Sequence, residues 1–272
     1  MNSSGAHSPA AEARIGFICK PDHDVFRPLA TRLEEAGATV EFFQSASVVD
    51  AAALERLSLL VNKKVEPSSF GLLARAERSG LATWNGYPTV LLGLRMVGYR
   101  ALERAGFPVP PVSTEKPDQE YIAKSLADYH GQPPPERNGE GDIYQVFLDA
   151  TPVDYKYYAV DTGSAIAVKV FRTTPKLDGD PRVRNRCDAD PLVATRLRRL
   201  LRAVDAQALG VDCRKSRQQY YAVDVNPAMS FRNTAMENAL YESLLSRVPP
   251  EKRDQLRINH DSAARPDMTS RS

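Results

Sequence analysis

The chain has 272 residues, with 36 Lys and Arg against 34 Asp and Glu and a formal net charge of +2. This balance gives no support for nucleic acid or a membrane surface as a partner, and we expect neither. A hydrophobic content of 42% predicts a globular protein. No apolar run approaches the ~18 residues of a membrane-spanning helix, and the start lacks a signal-peptide pattern, so we expect a cytoplasmic protein. Three unpaired cysteines favour neither a disulfide framework nor a zinc site.

The first part of the chain predicts a small parallel α/β domain over residues 14–86, after a disordered N-terminus at 1–13. Apolar runs at 14–18 and 38–43 flank a stretch of helical period that ends at Gly37. Strand, helix and strand in that order are typical of a right-handed parallel βαβ unit. A third strand is predicted at 57–61 and a helix at 70–78.

The second part, residues 87–248, predicts an α+β domain with an antiparallel sheet. A helix is predicted at 90–105, a short helix at 121–129 and a proline-rich loop at 132–135. The pattern then takes a period of two, which predicts strands at 143–148, 155–160, 165–171 and 220–225 with a hairpin turn at 161–164. An amphipathic helix spans 193–208, a capping box of Thr234 and Glu237 opens a last helix, and residues 249–272 are a polar tail.

Acidic and amide side chains near the predicted strand at 220–225 suggest a metal site. Asp224 and Asn226 are two residues apart, so on a strand their side chains share one face. Asp212 lies on the preceding apolar run and can pair beside them. Two carboxylates and an amide oxygen are the hard ligands that Mg²⁺ binds when phosphate oxygens complete its octahedron. The same residues are equally typical of a capped strand end.

Seven stretches, taken in order and spacing, resemble the ATP-grasp superfamily over residues 14–245. They are 83–85, 95, 105–110, 143–148, 154–172, 210–212 and 224–232. The resemblance implies a small N-terminal parallel α/β domain followed by a nucleotide and metal lobe with an antiparallel sheet. It also implies ATP and Mg²⁺ as cofactors, with Asp212, Asp224 and Asn226 as the metal ligands.

The resemblance assigns further roles by position. Arg95 is expected on an ATP phosphate, and the hinge that holds adenine is expected at Gln145, Val146, Phe147 and Leu148. Lys156 and Arg172 are expected to face the transferring phosphate. The residues expected to face a small anionic acceptor are Lys20, Lys63, Ser230 and Arg232. Lys20 and Lys63 follow predicted strands. Lysines at such positions are also often solvent-exposed residues at a strand end that bind no ligand.

Two kinds of relative compete, and both imply Mg-ATP-dependent phosphoryl transfer. RimK-type glutamate ligases fit the spacing from Asn85 to Arg95 and the short interval from Asp212 to Asp224. Inositol trisphosphate kinases fit Asp at position 224, and Lys20 and Lys63 after their strands. The first implies a carboxylate–amine ligase acting through an acyl phosphate, which we prefer; the second implies a kinase for a phosphorylated polyol.

The segment 111–142 departs from the family pattern. It contains no convincing Lys-Pro strand, and the glycines at 139 and 141 form only a short loop. We therefore expect a reduced nucleotide clamp. This motivates a third hypothesis, a degenerate protein that binds nucleotide or anion without catalysis.

Overall fold

The computed structural model describes residues 12–127, 129, 134–174 and 184–263, with side chains described up to residue 257. Three sheets and the helices that cover them form the fold. Residues 1–11 of the predicted disordered N-terminus lie outside this description. No helix within the described ranges combines the length and the apolar character needed to cross a bilayer.

The first sheet is fully parallel, with strand order β2-β1-β3-β4. Its strands are β1 (Arg14–Ile18), β2 (Thr39–Phe43), β3 (Leu59–Asn62) and β4 (Ala82–Trp84). Its helices are α1 (Phe26–Glu35), α2 (Ala51–Arg56) and α3 (Pro67–Arg78). Gly37 takes a φ of 96° just after the C-cap residue of α1, Ala36, a conformation that glycine adopts without a steric penalty. The predicted βαβ opening is confirmed.

The second sheet is fully antiparallel, with strand order β11-β10-β9-β12-β13. Its strands are β9 (Asp154–Asp161), β10 (Ile166–Thr173), β11 (Arg184–Cys187), β12 (Ala208–Ser216) and β13 (Gln219–Asn226). One face packs on α5 (Arg95–Arg104) and α6 (Pro191–Ala203) through buried residues such as Tyr157, Val211 and Leu197. Part of the other face packs toward the parallel sheet and α7 (Glu237–Arg247) through Tyr158 and Val160.

A third, small antiparallel sheet has the strand order β5-β8-β6-β7. Its strands are β5 (Val112–Ser113), β6 (Tyr121–Lys124), β7 (Glu136–Arg137) and β8 (Ile143–Val146). The predicted helix at 121–129 is wrong, because β6 occupies its first half. Ile122, Ala123 and Lys124 are consecutive buried residues, so the strand lacks the alternation that reveals strands in a sequence. The clamp segment is therefore less reduced than the sequence predicted.

Three further boundaries differ from the sequence prediction. The helix predicted at 90–105 is divided into α4 (Tyr87–Val90), a 3₁₀ turn and α5, because Leu94 is extended. The predicted capping box does not form: the Thr234 hydroxyl donates to the Phe231 carbonyl, and α7 begins later. The predicted tail contains a helix, α8 (Pro250–Ala263), whose Leu256 is buried.

Asn85 joins the parallel sheet to the large antiparallel sheet. It lies directly after β4 with a φ of 57° and is 2% exposed. Its Nδ2 donates to the carbonyls of Ala208 (2.7 Å) and Pro227 (2.8 Å). Its Oδ1 accepts from the backbone N–H of Gln207 (3.1 Å) and of Ala208 (3.0 Å). The amide therefore uses its full hydrogen-bonding capacity between the start of β12 and the end of β13.

We expect Asn85→Ala to lower the free energy of unfolding by about 3 kcal/mol, because buried backbone groups at both sheets lose their partners. The measurement is denaturant unfolding followed by circular dichroism. Asn233→Ala is the control, since Asn233 has a similar φ of 56° but is exposed. If both variants lost the same free energy of unfolding, the loss would come from the backbone conformation. That result would contradict the role of the Asn85 side chain in joining the two sheets.

Candidate functional site

The register of the large sheet places four side chains in one row. Phe171 lies opposite Lys156, Lys156 opposite Asp212, and Asp212 opposite Asp224. Directly opposed residues of antiparallel strands share a face, so the row crosses the sheet on one surface. The Lys156 ammonium donates to Asp212 Oδ2 at 3.0 Å. Burial would lower the pKa of Lys156, but the adjacent Asp212 carboxylate outweighs it, so this pKa is raised.

Asp224 is held by a cation from a different element. Arg95 Nη1 donates to both carboxylate oxygens of Asp224, at 2.8 and 2.9 Å. The Arg95 side chain is 4% exposed, and its Nε donates to the Ser125 carbonyl at 3.0 Å, just beyond β6. Arg95 therefore connects α5, the large sheet and the end of β6. The phosphate contact expected of it from the sequence stays a prediction.

The predicted metal ligands lie on this face, with Asn226 two residues beyond Asp224 and opposite Gly210. The Asn226 Oδ1 accepts from the Ala228 N–H at 2.8 Å. Among the described residues no three His, Cys, Asp or Glu side chains converge, so a metal here needs the amide oxygen of Asn226 beside the two carboxylates. That donor set is all oxygen, and the chemistry fits Mg²⁺.

A cavity of about 190 Å³ lies between the small sheet and the large sheet, and we call it the inter-sheet cavity. The predicted hinge lines it together with both predicted carboxylates. Its described lining is Ile122, Lys124, Pro134, Pro135, Gln145, Val146, Phe147, Leu148, Asp154, Asp212, Arg214, Val223 and Asp224. The structure thus brings six of the sequence-predicted site residues to one cavity with an apolar wall and a charged wall.

Lys124 is the residue of this cavity that sequence reasoning missed. It is 6% exposed, and its ammonium donates to Gln145 Oε1 (2.8 Å), the Tyr99 hydroxyl (2.9 Å) and the Val223 carbonyl (2.8 Å). The lysine therefore bridges the two sheets beside the predicted hinge. Because its strand is short and buried on both faces, the sequence pattern did not mark it. The buried Gln145 Nε2 has no hydrogen-bond partner in the described structure.

A second cavity, of about 630 Å³, lies at the carboxyl ends of β1 and β3, and we call it the strand-end cavity. Its described lining is Cys19, Lys20, His23, Lys63, Lys64, Val65, Glu66, Tyr129, Asn226 and Ala228. Lys20 and Lys63 meet here, as the sequence predicted for an acceptor site. Open α/β sheets bind ligands at this edge. Asn226 lines this cavity and Asp224 the other, so the two cavities meet along β13.

Most of the cations of the strand-end cavity already donate to the protein's own backbone. Lys63 is 8% exposed, and its ammonium donates to the carbonyls of Ala228 and Met229, the latter at 2.5 Å. The Lys64 ammonium donates to the Gln44 carbonyl. Lys20 is exposed at the rim. Burial lowers the pKa of Lys63 to about 7.

Five predicted residues line neither cavity, and only two of them, Lys156 and Arg95, pair with the carboxylates of the row. Arg172 lies opposite Tyr155, one residue out of step with Lys156, so it is on the other face of the sheet. Arg232 is exposed and forms an ion pair with Asp24. Ser230 is exposed beside it. The structure does not place Arg172 with Lys156 as the sequence predicted.

Protein-family models and curated proteins give no match to this chain. Solved structures do match it. The ATP-grasp ligase PsnB complexed with a minimal precursor has a TM-score of 0.66 and 15% identity, over 88% of this chain and 100% of that one. The RimK-domain ATP-grasp protein of Sphaerobacter thermophilus has a TM-score of 0.66 and 15% identity, over 86% and 98%. The macrocyclase MdnC of Microcystis aeruginosa, bound with precursor peptide MdnA, has a TM-score of 0.63 and 11% identity, over 86% and 99%.

The buried lysine of the strand-end cavity predicts a pH dependence of stability. An unfolded lysine keeps its proton up to about pH 10.5, whereas folded Lys63 releases its proton near pH 7. The unfolded state therefore binds more protons between these values, and the free energy of unfolding should rise with pH there. We expect the difference in this free energy between wild type and Lys63→Met to increase from pH 6.5 to 9.5.

The measurement is urea unfolding at several pH values, with Lys64→Met as the neighbouring control. The control should keep the wild-type pH slope, because its ammonium reaches a carbonyl at the exposed side. A difference between wild type and Lys63→Met that is constant across this pH range would contradict the lowered pKa.

Proposed function

We propose that this chain, which has the ATP-grasp fold that its sequence resembles and its structural neighbours share, is an ATP-dependent carboxylate–amine ligase. The observation that carries the proposal is the meeting of two chemically different cavities along β13, where Asp224 lines one cavity and Asn226 the other. One cavity has an apolar wall and a buried lysine, as a nucleotide needs. The other is basic and lies at the strand ends, as an anionic acceptor needs.

In this proposal the nucleotide binds in the inter-sheet cavity. Val146, Phe147 and Leu148 supply apolar contacts for a base, and the buried Gln145 Nε2 is an available donor. Lys124 brings a positive charge to the same cavity. The residues that would hold Mg²⁺ are Asp212, Asp224 and Asn226, and the ion would neutralise phosphate charge there.

The reaction needs a carboxylate and then an amine. The γ-phosphoryl group passes to a carboxylate oxygen, which gives ADP and an acyl phosphate. The amine attacks the acyl carbon, inorganic phosphate leaves, and the nitrogen loses a proton. Lys156, fixed by Asp212, would stabilise the negative charge that spreads over the transferred group. Since the row lies where the cavities meet, the chain's part is mainly positioning and charge compensation.

The hydrogen bonds of the strand-end cavity favour a carboxylate over a polyphosphorylated polyol. A polyphosphate needs several cations with available donors, but Lys63 and Lys64 donate to backbone carbonyls. Arg232 pairs with Asp24 outside the cavity. The ammonium of Lys20, at the rim, has no hydrogen bond or ion pair within the described residues. A single ammonium with available donors matches the charge of one carboxylate better than that of several phosphates.

Two alternatives remain in view. A kinase of the same fold is favoured by the position of Lys20 and Lys63 in one basic cavity. The degenerate binder is disfavoured by the presence of β6 and Lys124, which complete a four-stranded clamp sheet. ADP release that depends on an added amine indicates a ligase, release with a polyol phosphate alone indicates a kinase, and binding without release indicates a binder.

PsnB and MdnC were solved with precursor peptides, so the carboxylate of our proposal has two sources, a free small acid or an acidic side chain of a peptide. The volume of about 630 Å³ in the strand-end cavity accommodates either. Screening both acid classes for amine-dependent ADP release would identify the source.

The nucleotide site is tested by titration calorimetry with Mg-ATP. We expect wild type to bind and Lys124→Met to bind about 10- to 100-fold more weakly, because the cavity loses a positive charge and Gln145 loses the hydrogen bond that positions it. Lys116→Met should bind like wild type, since Lys116 is exposed and pairs with Glu140. If wild type released no heat with Mg-ATP and showed no binding by a second method, both the ligase hypothesis and the kinase hypothesis would be refuted.

The metal ligands are tested by the effect of Mg²⁺ on ADP affinity. In wild type, we expect ADP to bind more tightly with Mg²⁺ than with EDTA. Asp212→Asn and Asp224→Asn should reduce this difference about tenfold or more, because an amide lacks the carboxylate charge. Asp161→Asn, at the far end of β9, should retain the wild-type ratio. If the ADP affinity of both site variants depended on Mg²⁺ as strongly as that of wild type, Asp212 and Asp224 could not be the metal ligands.

A further inference from the structure

A third cavity, of about 380 Å³, lies where the turn between β9 and β10 meets the bend between α7 and α8, and we call it the elbow cavity. It shares no lining residue with the inter-sheet cavity or the strand-end cavity. Asp161 in its lining is five residues beyond Lys156 on β9, which is about 17 Å along the strand. The volume is in the range of small-molecule sites. The two helices contribute Glu242, Ser246, Arg247, Arg253 and Arg257 to the lining.

The elbow cavity is formed by closely packed elements. Arg253 and Arg257 are one turn apart on α8, so their side chains lie on one face of that helix. Gly163, in the turn, takes a φ of 83°, and a Cβ at this position would lie 2.6 Å from the Ser246 Cβ on α7. Only glycine combines this conformation with so close an approach. The turn therefore rests directly against α7 and closes one side of the cavity.

Arg253 has hydrogen-bonding capacity that the protein leaves unused. Its Nε is buried and has no hydrogen-bond partner in the described part of the chain. The Asp254 carboxylate is 4.0 Å from this nitrogen, which is beyond hydrogen-bonding distance. Arg257 Nη2 is likewise 3.8 Å from Glu242 Oε2. Since a buried donor without an acceptor is unfavourable, an anion that reaches Arg253 binds with an advantage.

The other groups of the lining indicate what the rest of such a ligand is. Three arginines and three carboxylates line the elbow cavity, and one pair is already formed between Arg247 Nη2 and Asp205 Oδ2 at 3.2 Å. Asp161 and Glu242 remain as acceptors, and hydroxyl groups are suitable donors to them. The described lining contains no aromatic and no large aliphatic side chain. It therefore matches a hydrophilic ligand with an anionic group better than it matches a nucleotide base.

We propose that the elbow cavity binds a phosphate ester of a small polyhydroxy compound, with the phosphate on Arg253 and Arg257. A guanidinium presents paired donors that match two phosphate oxygens. The hydroxyl groups of the ligand donate to Asp161 and Glu242. Because the elbow cavity has no residue in common with the other two cavities, the inference does not depend on the proposed function.

A ligand in this cavity would also stabilise the connection between the sheets. Gln207 lines the cavity, and its Oε1 accepts from the Asn85 backbone N–H at 2.6 Å. Arg247, also in the lining, donates through Nε to the Thr83 carbonyl in β4 at 3.1 Å. A ligand that binds only the folded state adds to the free energy of unfolding. Binding should therefore raise the temperature of unfolding.

The test uses glucose 6-phosphate in the absence of nucleotide, with glucose as the unphosphorylated comparison. We expect a saturating concentration of glucose 6-phosphate to raise the Tm of wild type by about 3 °C or more, and glucose to leave it unchanged. In titration calorimetry, Arg253→Gln should bind glucose 6-phosphate about tenfold or more weakly than wild type. Arg56→Gln is the matched control and should bind like wild type, because Arg56 is exposed on α2 and pairs with Glu41.

Two results would overturn the inference directly: wild type that does not bind glucose 6-phosphate, and Arg253→Gln that binds it as tightly as wild type. Binding that is lost in Lys20→Met but kept in Arg253→Gln would place the phosphate in the strand-end cavity and overturn it as well. Circular dichroism establishes that each variant is folded. Arg257→Gln carries the test if Arg253→Gln does not fold, since the Arg257 side chain is 52% exposed.

Discussion

The site is built around two carboxylates that face each other across a strand pair. Asp212 and Asp224 are directly opposed on β12 and β13, where side chains lie about 5 Å apart. Two like charges at that separation repel by about 3 kcal/mol at an effective dielectric constant of about 20. The fold offsets this repulsion with Lys156 from β9 and Arg95 from α5. The row therefore exists only when the large sheet and α5 are assembled together.

The two cavities lie on opposite sides of this row. The small sheet covers one side through the bridge from Lys124 to Val223. The segment after β13 turns toward the parallel sheet, where Lys63 binds its carbonyls. A single strand thus carries a carboxylate for one cavity and an amide for the other. In the proposed reaction, transfer between ligands in the two cavities would need no long movement of either.

The sequence predicted the elements whose patterns are regular, and it missed those in which burial hides the pattern. The first βαβ unit, the hairpin of β9 and β10 and the acidic strand β13 follow clear periods. Lys124 was missed because β6 is short and buried on both faces, so nothing in it alternates. Arg172 was selected because the hairpin resembles the family segment whose Lys and Arg face the transferring phosphate. On a strand, a shift of one residue changes the face, and the register could not be read from the sequence alone.

Asn85 has a mechanical consequence for how ligands enter. Its four side-chain hydrogen bonds tie the end of the parallel sheet to both β12 and the residue after β13. These bonds join the parallel sheet and the large sheet into one unit, which we call the platform. The strand-end cavity keeps its shape on that platform. Among the described residues, the small sheet has no comparable side-chain link of four hydrogen bonds, and it contacts the platform through Lys124 and through Arg95, whose Nε donates to the Ser125 carbonyl. For the proposed nucleotide, we therefore expect entry through a tilting of the small sheet away from the platform, while the platform stays in place.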